Sequence, residues 1–247
     1  MPAVHTSLAH GPKAVMLQRC NVMKPAIFGR SSRPSWVGCI ALLCVAIAPA
    51  LAAAPATLFE ENFEQLPLGK PSTNFMVVDG GFQVREEQGH RFLELPGAPL
   101  ENYGILFGPQ TASNVCVEAR IQSESTGRRH PMFAVGLGGI GGLKLWVAPG
   151  REQLELHLGE NLLAAQPLSW KSGVWMHLKL RFLISPQGKL RAEGKMWLAG
   201  DPEPAAWNLG ADLKQLPPAG RASVWGAPVS GKPIRFDDLR LTEVTAP

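Results

Sequence analysis

From Leu58 onward, the chain consists of short segments in which apolar and polar residues alternate. A period of two places apolar side chains on one face of a strand and polar ones on the other. Gly, Pro, Asn and Ser interrupt these segments about every ten residues, a spacing typical of antiparallel sandwiches and barrels. We therefore expect an all-β fold, with strands in GFQVRE, RFLEL, YGILFG, NVCVEARIQSE, PMFAVGLGG, LKLWVA, QLELHLG, VWMHLKLRFLI, KLRAEGKMWLA, ASVWGA and IRFDDLRL.

One hairpin can be predicted with its register. Apolar residues occupy the even positions of 174–182 and of 190–198, and the loop Ser185-Pro186-Gln187-Gly188 suits a type I turn followed by a left-handed glycine. Pairing Ser185 with Lys189 matches both faces of the two strands, whereas a slip of one residue would mix them. The predicted opposite pairs are Met176 with Leu198, His177 with Trp197, Leu178 with Met196, Leu180 with Gly194, and Arg181 with Glu193. The Pro-rich stretch 199–220 is predicted to be a long loop.

The charged residues divide the chain into two parts. All 20 acidic residues lie from Glu60 onward, whereas the first 59 residues carry five basic residues and no acidic one. The rest of the chain therefore has 19 basic against 20 acidic residues. It lacks the excess of positive charge that binding to nucleic acid or to an anionic membrane requires.

The N-terminal segment is predicted to contain a secretory signal peptide. Basic residues at Lys24, Arg30 and Arg33 precede an apolar run over 36–52, which ends in an A-x-A cleavage site. A transmembrane anchor is the alternative, but the run is at the short limit for a bilayer span and contains a proline. The residues before Met23 have no signal-like feature, so Met23 is a candidate for the true start.

These features predict two regions with different fates. Residues 1–53 form an N-terminal extension with the signal peptide, and residues 54–247 form a single β domain that is secreted or periplasmic, monomeric and without a transmembrane span. Three of the four cysteines leave with the extension, and Cys116 alone cannot form an internal disulfide. The domain must therefore be stabilised by its apolar core.

The alternation breaks once, at Asp237-Asp238 in PIRFDDLRLTEV. Apolar residues are even-numbered before this pair (Ile234, Phe236) and odd-numbered after it (Leu239). A shift of one residue turns every later side chain to the opposite face of a strand. One explanation is a β-bulge, in which one aspartate faces solvent and the other accepts backbone hydrogen bonds.

Three segments resemble concanavalin A-like jelly-roll domains of the 3-keto-disaccharide hydrolase-like, laminin-G-like group. FEENFEQLPLGKPSTNF followed by MVVDGGFQVREE resembles their opening, SGVWMHLKLRF a central strand, and GKPIRFDDLRLTEV the closing strand that returns beside the first. The resemblance spans Leu58 to Val244 and implies a two-sheet antiparallel jelly-roll sandwich. Members of the group include glycan hydrolases, glycan-binding modules and domains without a known ligand.

The resemblance also implies a structural calcium ion, as the second explanation for the aspartate pair. The matching ligands would be Glu61 or Glu64, a carbonyl near Gly80 or Gly89, and Asp237 or Asp238. Calcium is bound by several hard oxygen ligands in irregular geometry, which such a set would supply. In the absence of calcium, the expected compensating charges are those of the same strand, Lys232, Arg235 or Arg240.

Known catalytic patterns do not occur in the sequence. It has no E-x-D-x-x-E pair, which would place two carboxylates about 5 Å apart for glycoside hydrolysis. It also has no H-E-x-x-H, G-x-S-x-G or P-loop. No catalytic residue is therefore predicted.

Tryptophans on the polar side of predicted strands indicate a carbohydrate-binding groove, because sugar rings present apolar faces to aromatic planes. Structural roles are favoured for Trp175 and Trp207, whereas Trp146 and Trp197 stay open between packing and binding. If the polar side is the concave sheet, the groove would consist of Trp146, Trp197, His157, His177, Arg181 and Glu193. The first hypothesis is therefore an exported, non-catalytic glycan-binding domain. The alternatives are a glycoside hydrolase or lyase with an unfamiliar site, and a structural or interaction domain of the cell envelope.

Overall fold

The computed structural model describes residues 55–98 and 101–245. The predicted signal peptide, the candidate start at Met23 and the domain boundary after residue 53 lie outside the described residues. Within those ranges the one helical segment is the 3-10 turn Pro149–Arg151, and no helix there has the length and apolar character needed to cross a membrane.

Alternating residues form fifteen strands in the described part of the chain. In chain order these are β1 (Thr57–Glu61), β2 (Met76–Asp79), β3 (Gln83–Glu87), β4 (His90–Leu95), β5 (Tyr103–Thr111), β6 (Val115–Ser123), β7 (Met132–Leu137), β8 (Leu143–Ala148), β9 (Gln153–Leu158), β10 (Asn161–Pro167), β11 (Met176–Ile184), β12 (Leu190–Leu198), β13 (Leu209–Leu213), β14 (Gly220–Ala227) and β15 (Ile234–Glu243).

The strands pair into two antiparallel sheets. Sheet A has the order β13-β12-β11-β6-β15-β4-β3, and β1 also pairs with β15. Sheet B has the order β10-β9-β8-β7-β14-β5-β2. This architecture confirms the prediction of an all-β, two-sheet antiparallel sandwich.

The core lies between the sheets and is filled by the apolar residues of the alternating pattern. Met176, Leu178, Leu180 and Phe182 of β11 are each at most 2% exposed, and they pack in one cluster with inward residues of both sheets. Each fully buried side chain of this kind stabilises the fold by about 1.5–3 kcal/mol relative to exposure. The outward positions of both sheets are thereby left for polar or aromatic side chains.

The predicted β11–β12 hairpin is confirmed with its register. Met176 lies opposite Leu198, and Arg181 lies opposite Glu193. The Ser185 N–H donates to the Lys189 carbonyl over 2.9 Å, and Gly188 adopts φ +76°, as the turn requires. Local sequence therefore specifies this part of sheet A.

The β-bulge predicted at Asp237-Asp238 is present. Asp237 lies opposite Arg120 of β6, whereas Arg240 lies opposite Glu118, so β15 carries an extra residue between these pairs. Asp238 has φ +47°, a left-handed conformation that aspartate adopts more readily than most residues. The conformational tolerance of aspartate explains why a weak strand former occupies this position.

The bulge lets one strand pair with two partners while it keeps its apolar side in the core. Phe236 before the bulge and Leu239 after it are both fully buried. They are three residues apart, a spacing that would place them on opposite faces of a regular strand. Along its other edge, β15 pairs with β4 before the bulge and with β1 after it. The predicted antiparallel pairing of the last strand with the first is confirmed.

Three strands, β2, β10 and β13, were not among the predicted strands, and β1 was expected from the resemblance alone. The long loop expected over 199–220 contains β13 at Leu209–Leu213, which pairs with β12. Strand β10 was missed because a register shift between Leu162 and Ala164 disrupts its alternation. All three strands lie at the edge of a sheet, where a strand pairs along one side only.

Candidate functional site

A row of five residues crosses the face of sheet B that points away from the core. From β9 to β5, the directly opposite residues are Glu155, Trp146, Ala134, Trp225 and Gly104. Trp146 and Trp225 lie two strands apart, so their backbones are separated by about 10 Å. Ala134 between them is fully buried, and Trp146 packs against the cluster that Ala134 forms with Trp225, so the two indole rings lie together on this face.

A second row runs beside the first on the same face. Its opposite residues are His157, Lys144, Gly136, Ser223 and Leu106. Together with Trp146, Glu155 and Trp225 of the first row, His157 and Lys144 line an open cleft of about 300 Å³, which we call the sheet B cleft. The cleft combines aromatic and charged side chains on a face that the core does not use.

Trp225 is held flat against the sheet by its neighbours. A Cβ atom at Gly104 would lie 2.4 Å from the Trp225 ring, so only glycine allows this contact. The Trp225 Nε1–H donates to Ser223 Oγ over 2.8 Å, and the residue is 7% exposed. Trp225 therefore forms a fixed wall of the cleft, whereas Trp146 is only partly buried.

Lys144 extends over Trp225 and is itself buried, with 7% exposure. Its Nζ lies 4.7 Å from the centre of the Trp225 ring and donates to the Ile140 carbonyl over 2.5 Å. Burial lowers the pKa of Lys144, because desolvation disfavours the charged form, and the more distant Glu160 carboxylate opposes the shift.

Glu155 is the central acceptor of a charged triad at the other end of the row. Arg151 donates to both of its carboxylate oxygens over 2.7 and 2.8 Å, and the His157 ring lies 3.0 Å from it. These hydrogen bonds, that of Arg151 above all, hold the pKa of Glu155 below its usual value despite its 3% exposure. Glu155 is therefore ionised at neutral pH.

The turn between β8 and β9 positions Arg151 for this contact. Pro149 begins the 3-10 turn Pro149–Arg151, and Glu152 closes it in a left-handed conformation with φ +53°. The Glu152 N–H donates to the Pro149 carbonyl over 3.0 Å, which reverses the chain into β9. Arg151 then lies four residues before Glu155, within reach of its carboxylate.

The six predicted groove residues lie on two different sheets. Trp146 and His157 are on β8 and β9 of sheet B and line the sheet B cleft. The other four lie on β11 and β12 of sheet A, on its outer face: His177, Arg181, Glu193 and Trp197. The prediction of a single groove that combines all six residues is therefore wrong. The alternation along a strand shows which residues share a face, but it does not show which sheet the strand joins.

Trp197 has little surface available for a ligand. It is 8% exposed, and its indole ring stacks on the His177 imidazole with ring centres 4.8 Å apart and planes at 3°. Beside it, Arg181 donates to Glu193 over 2.6 and 2.8 Å. In sheet A these four predicted residues are therefore engaged with one another.

The loop after β12 covers this part of sheet A. Glu203 of the loop pairs with Lys195 over 2.7 Å and with Lys179 over 3.0 Å. The Arg181 guanidinium lies 4.2 Å from the centre of the Trp207 ring, which the same loop carries. These contacts leave sheet B as the more open face for a ligand.

The four carboxylates predicted to bind calcium have other partners. Asp237 is 1% exposed, accepts a hydrogen bond from Arg120 and lies 2.9 Å from His90 Nε2. Glu64 lies 3.6 Å from the same ring nitrogen, and Asp238 lies 3.2 Å from Arg120. Glu61 accepts the Phe63 N–H over 2.8 Å.

These residues do not fit a calcium ion. Within residues 55–98 and 101–245, no group of three or more His, Cys, Asp and Glu is arranged to hold a metal. Arg120 stacks on Trp175, 5.0 Å from the ring centre, and supplies positive charge beside the aspartate pair. The expected compensation by Lys232, Arg235 or Arg240 is wrong for Asp237, since its ionic partners are Arg120 and His90.

Sequence reasoning missed Lys144, Glu155, Arg151 and Trp225 as members of this site. The sequence did contain a sign of two of them. Lys144 lies two residues from Trp146, and Glu155 lies two residues from His157, so alternation places each pair on one face of its strand. Trp225 was not predicted to belong to the groove, and only the order β8-β7-β14 brings it opposite Ala134 and near Trp146.

Comparisons with known proteins establish the fold. No protein-family model matches the chain, and no curated protein matches it. The solved structure of the Emp47p carbohydrate recognition domain is 11% identical and covers 78% of this chain and 99% of that one, with a TM-score of 0.53. A Bacillus subtilis protein of unknown function with a galectin-like fold is also 11% identical and covers 76% and 96%, with a TM-score of 0.50.

At this level of identity the likeness concerns the fold alone. It confirms the predicted concanavalin A-like jelly-roll sandwich. Membership of the 3-keto-disaccharide hydrolase-like group stays a prediction.

Proposed function

We propose that this protein is an exported glycan-binding domain that binds its ligand in the sheet B cleft. The observation that carries the proposal is the row in which Trp146 and Trp225 are separated by Ala134 and flanked by Glu155. Two indole rings that line one cleft beside a fixed carboxylate match the two needs of a sugar, an apolar ring face and polar hydroxyl groups.

Trp146 would act as the stacking platform, because it is the less buried of the two indoles. Stacking of a planar ligand on an aromatic side chain contributes about 1–3 kcal/mol, by analogy with nucleic-acid bases. Glu155, Arg151 and His157 would bind hydroxyl groups, since their mutual hydrogen bonds hold all three in place without using every donor and acceptor. Preorganisation of this kind reduces the entropy lost on binding.

The structural neighbours support the ligand class. The Emp47p structure that resembles this chain is a carbohydrate recognition domain, and the similarity covers 78% of this chain. The predicted signal peptide supports export, which would bring the domain to extracellular or envelope glycans. Calcium is not part of the proposed site, because none of the four carboxylates predicted to bind it lines the sheet B cleft.

The lowered pKa of Glu155 does not suit the general acid of a glycosidase. A glycosidase needs one carboxyl group that keeps its proton near neutral pH, whereas Arg151 lowers the pKa of Glu155. Glu160 also lines the cleft, so hydrolysis is the alternative that an experiment must separate.

The test is a glycan-array screen of the purified protein, followed by product analysis of every glycan that binds. We expect retention of at least one glycan class with no released sugar. Released sugar would replace the proposal with a hydrolase or lyase. No binding to any glycan would favour an interaction domain of the cell envelope.

A further inference from the structure

Two lysines in the described part of the chain are almost fully buried, and they differ in one respect. Lys195 of sheet A, 4% exposed, has the Glu203 carboxylate 2.7 Å from its Nζ. Lys144 of sheet B, 7% exposed, has only the Ile140 carbonyl and the Trp225 ring as partners among the described residues. Its ammonium group therefore has no carboxylate in direct contact.

A buried charge without a counterion is costly, so this arrangement calls for an explanation. An ammonium group has three N–H donors, and Lys144 gives one of them to Ile140. Since Lys144 lines the sheet B cleft, the remaining donors are available to a ligand that enters it. An anionic ligand would supply the missing charge.

The other charges of the cleft leave this role to Lys144. Arg151 and His157 both hydrogen-bond Glu155, so the negative charge of Glu155 is already balanced within the triad. Glu160 lies in the exposed turn between β9 and β10 and attracts Lys144 from beyond ion-pair distance. Glu160 would repel a bound anion, and this repulsion supplies an independent test.

We propose that Lys144 binds the anionic substituent of an acidic sugar, a carboxylate or a sulfate ester, in the sheet B cleft. The inference rests on the proposed glycan binding and specifies its ligand class. A lysine ammonium is a compact point charge that needs no bidentate partner, so it accepts either substituent. Trp146 would stack on the sugar ring. Lys144 lies opposite His157 in the neighbouring row of the same cleft, and it would contact the charged group.

The experiment measures the affinity of the purified protein for two matched pairs of polymers by isothermal titration. Polygalacturonate and its methyl ester differ in free carboxylates, and dextran sulfate and dextran differ in sulfate esters. We expect the charged member of one pair to bind at least about tenfold more tightly than its neutral counterpart. The pair that shows this preference identifies the substituent.

Three variants assign the preference to the cleft. Lys144→Met keeps an apolar stem and should remove the preference, whereas Lys189→Met removes an exposed charge in the β11–β12 loop and should leave it intact. Glu160→Gln should strengthen the binding of the charged polymer and leave that of the neutral polymer unchanged. Because this variant keeps the buried lysine, it tests the inference even if Lys144→Met fails to fold.

Several results would overturn the inference. Equal binding of charged and neutral polymers, or a charge preference that survives Lys144→Met, would contradict it and leave the proposed glycan binding intact. A preference reduced equally by Lys189→Met would indicate non-specific attraction to polyanions. Failure of all four polymers to bind, together with an array on which no glycan binds, would overturn both proposals.

Discussion

The imidazole ring of His177 stacks on the indole ring of Trp197, with ring centres 4.8 Å apart and planes 3° from parallel. The His177 ring therefore covers the face of Trp197 that was predicted from the sequence to stack on a sugar. We therefore expect Trp197→Ala to lower the free energy of unfolding by about 3–5 kcal/mol, as for a buried tryptophan. Chemical denaturation measures the loss, and ligand binding by the folded fraction should not change.

Asp237 connects Arg120 and His90 at the β15 bulge. Asp237→Ala should lower the free energy of unfolding by about 1–3 kcal/mol, because it removes the charged acceptor of the partly buried Arg120 and His90. Asp238→Asn is the matched control: the residue is exposed, and asparagine tolerates its left-handed backbone, so the change should stay within about 0.5 kcal/mol.

A chelator separates this account of the aspartate pair from a calcium site. Since Arg120 supplies the positive charge, EDTA should leave the melting temperature of the wild-type protein unchanged. A fall in melting temperature that calcium reverses, and that Asp237→Ala abolishes, would show that the pair binds a metal after all.

Gly104 provides the flat surface on which Trp225 lies. In Gly104→Ala, the new methyl group would be placed 2.4 Å from the ring, and the ring would have to leave the cleft wall. We expect a loss of about 1–3 kcal/mol in stability and weaker ligand binding. Gly141→Ala, where a Cβ would have nothing within 4 Å, should cost much less in both thermal melts and titrations.

The Arg151–Glu155 contact predicts a dependence of stability on pH. The pKa of Glu155 is lower in the folded protein than in the unfolded chain, chiefly because Arg151 donates to the carboxylate. Its contribution to stability is therefore complete above the usual glutamate pKa of about 4.3, and it is lost as pH falls through the lower folded value. Unfolding curves measured from pH 6 down to about pH 3 check this.

Two variants tell this contribution from general acid unfolding. Glu155→Gln should be less stable at neutral pH and should lose less stability on acidification than the wild type. Glu124→Gln, at an exposed position after β6, should follow the wild-type profile. Identical profiles for wild type and Glu155→Gln would show that the ion pair contributes nothing to stability.

Features that depend on residues close in sequence were predictable. The β11–β12 register follows from alternation plus a four-residue turn, and the break at Asp237-Asp238 identified the bulge, since both patterns are local. Strand β13 was missed because its five residues lie between Pro-rich flanks, and a short edge strand needs little alternation.

The candidate site was only partly predictable, because it depends on which strands become neighbours. The alternation of apolar and polar residues placed Trp146 and Trp197 on the polar faces of their strands. It could not show that β8 and β12 belong to different sheets. The pairing of Trp225 with Gly104, and of Arg120 with Asp237, joins residues more than a hundred positions apart. Such contacts follow from sheet order, which alternation does not encode.

The most direct measurement of the central claim is the affinity of Trp146→Ala for a glycan that binds the wild type, determined by isothermal titration beside Trp207→Ala. Trp207 lies over sheet A, so its removal deletes an indole ring far from the sheet B cleft. We expect Trp146→Ala to weaken binding about 5- to 100-fold with little change in melting temperature, and Trp207→Ala to bind like the wild type. Unchanged affinity in Trp146→Ala, or a loss confined to Trp207→Ala, would contradict glycan binding in the sheet B cleft.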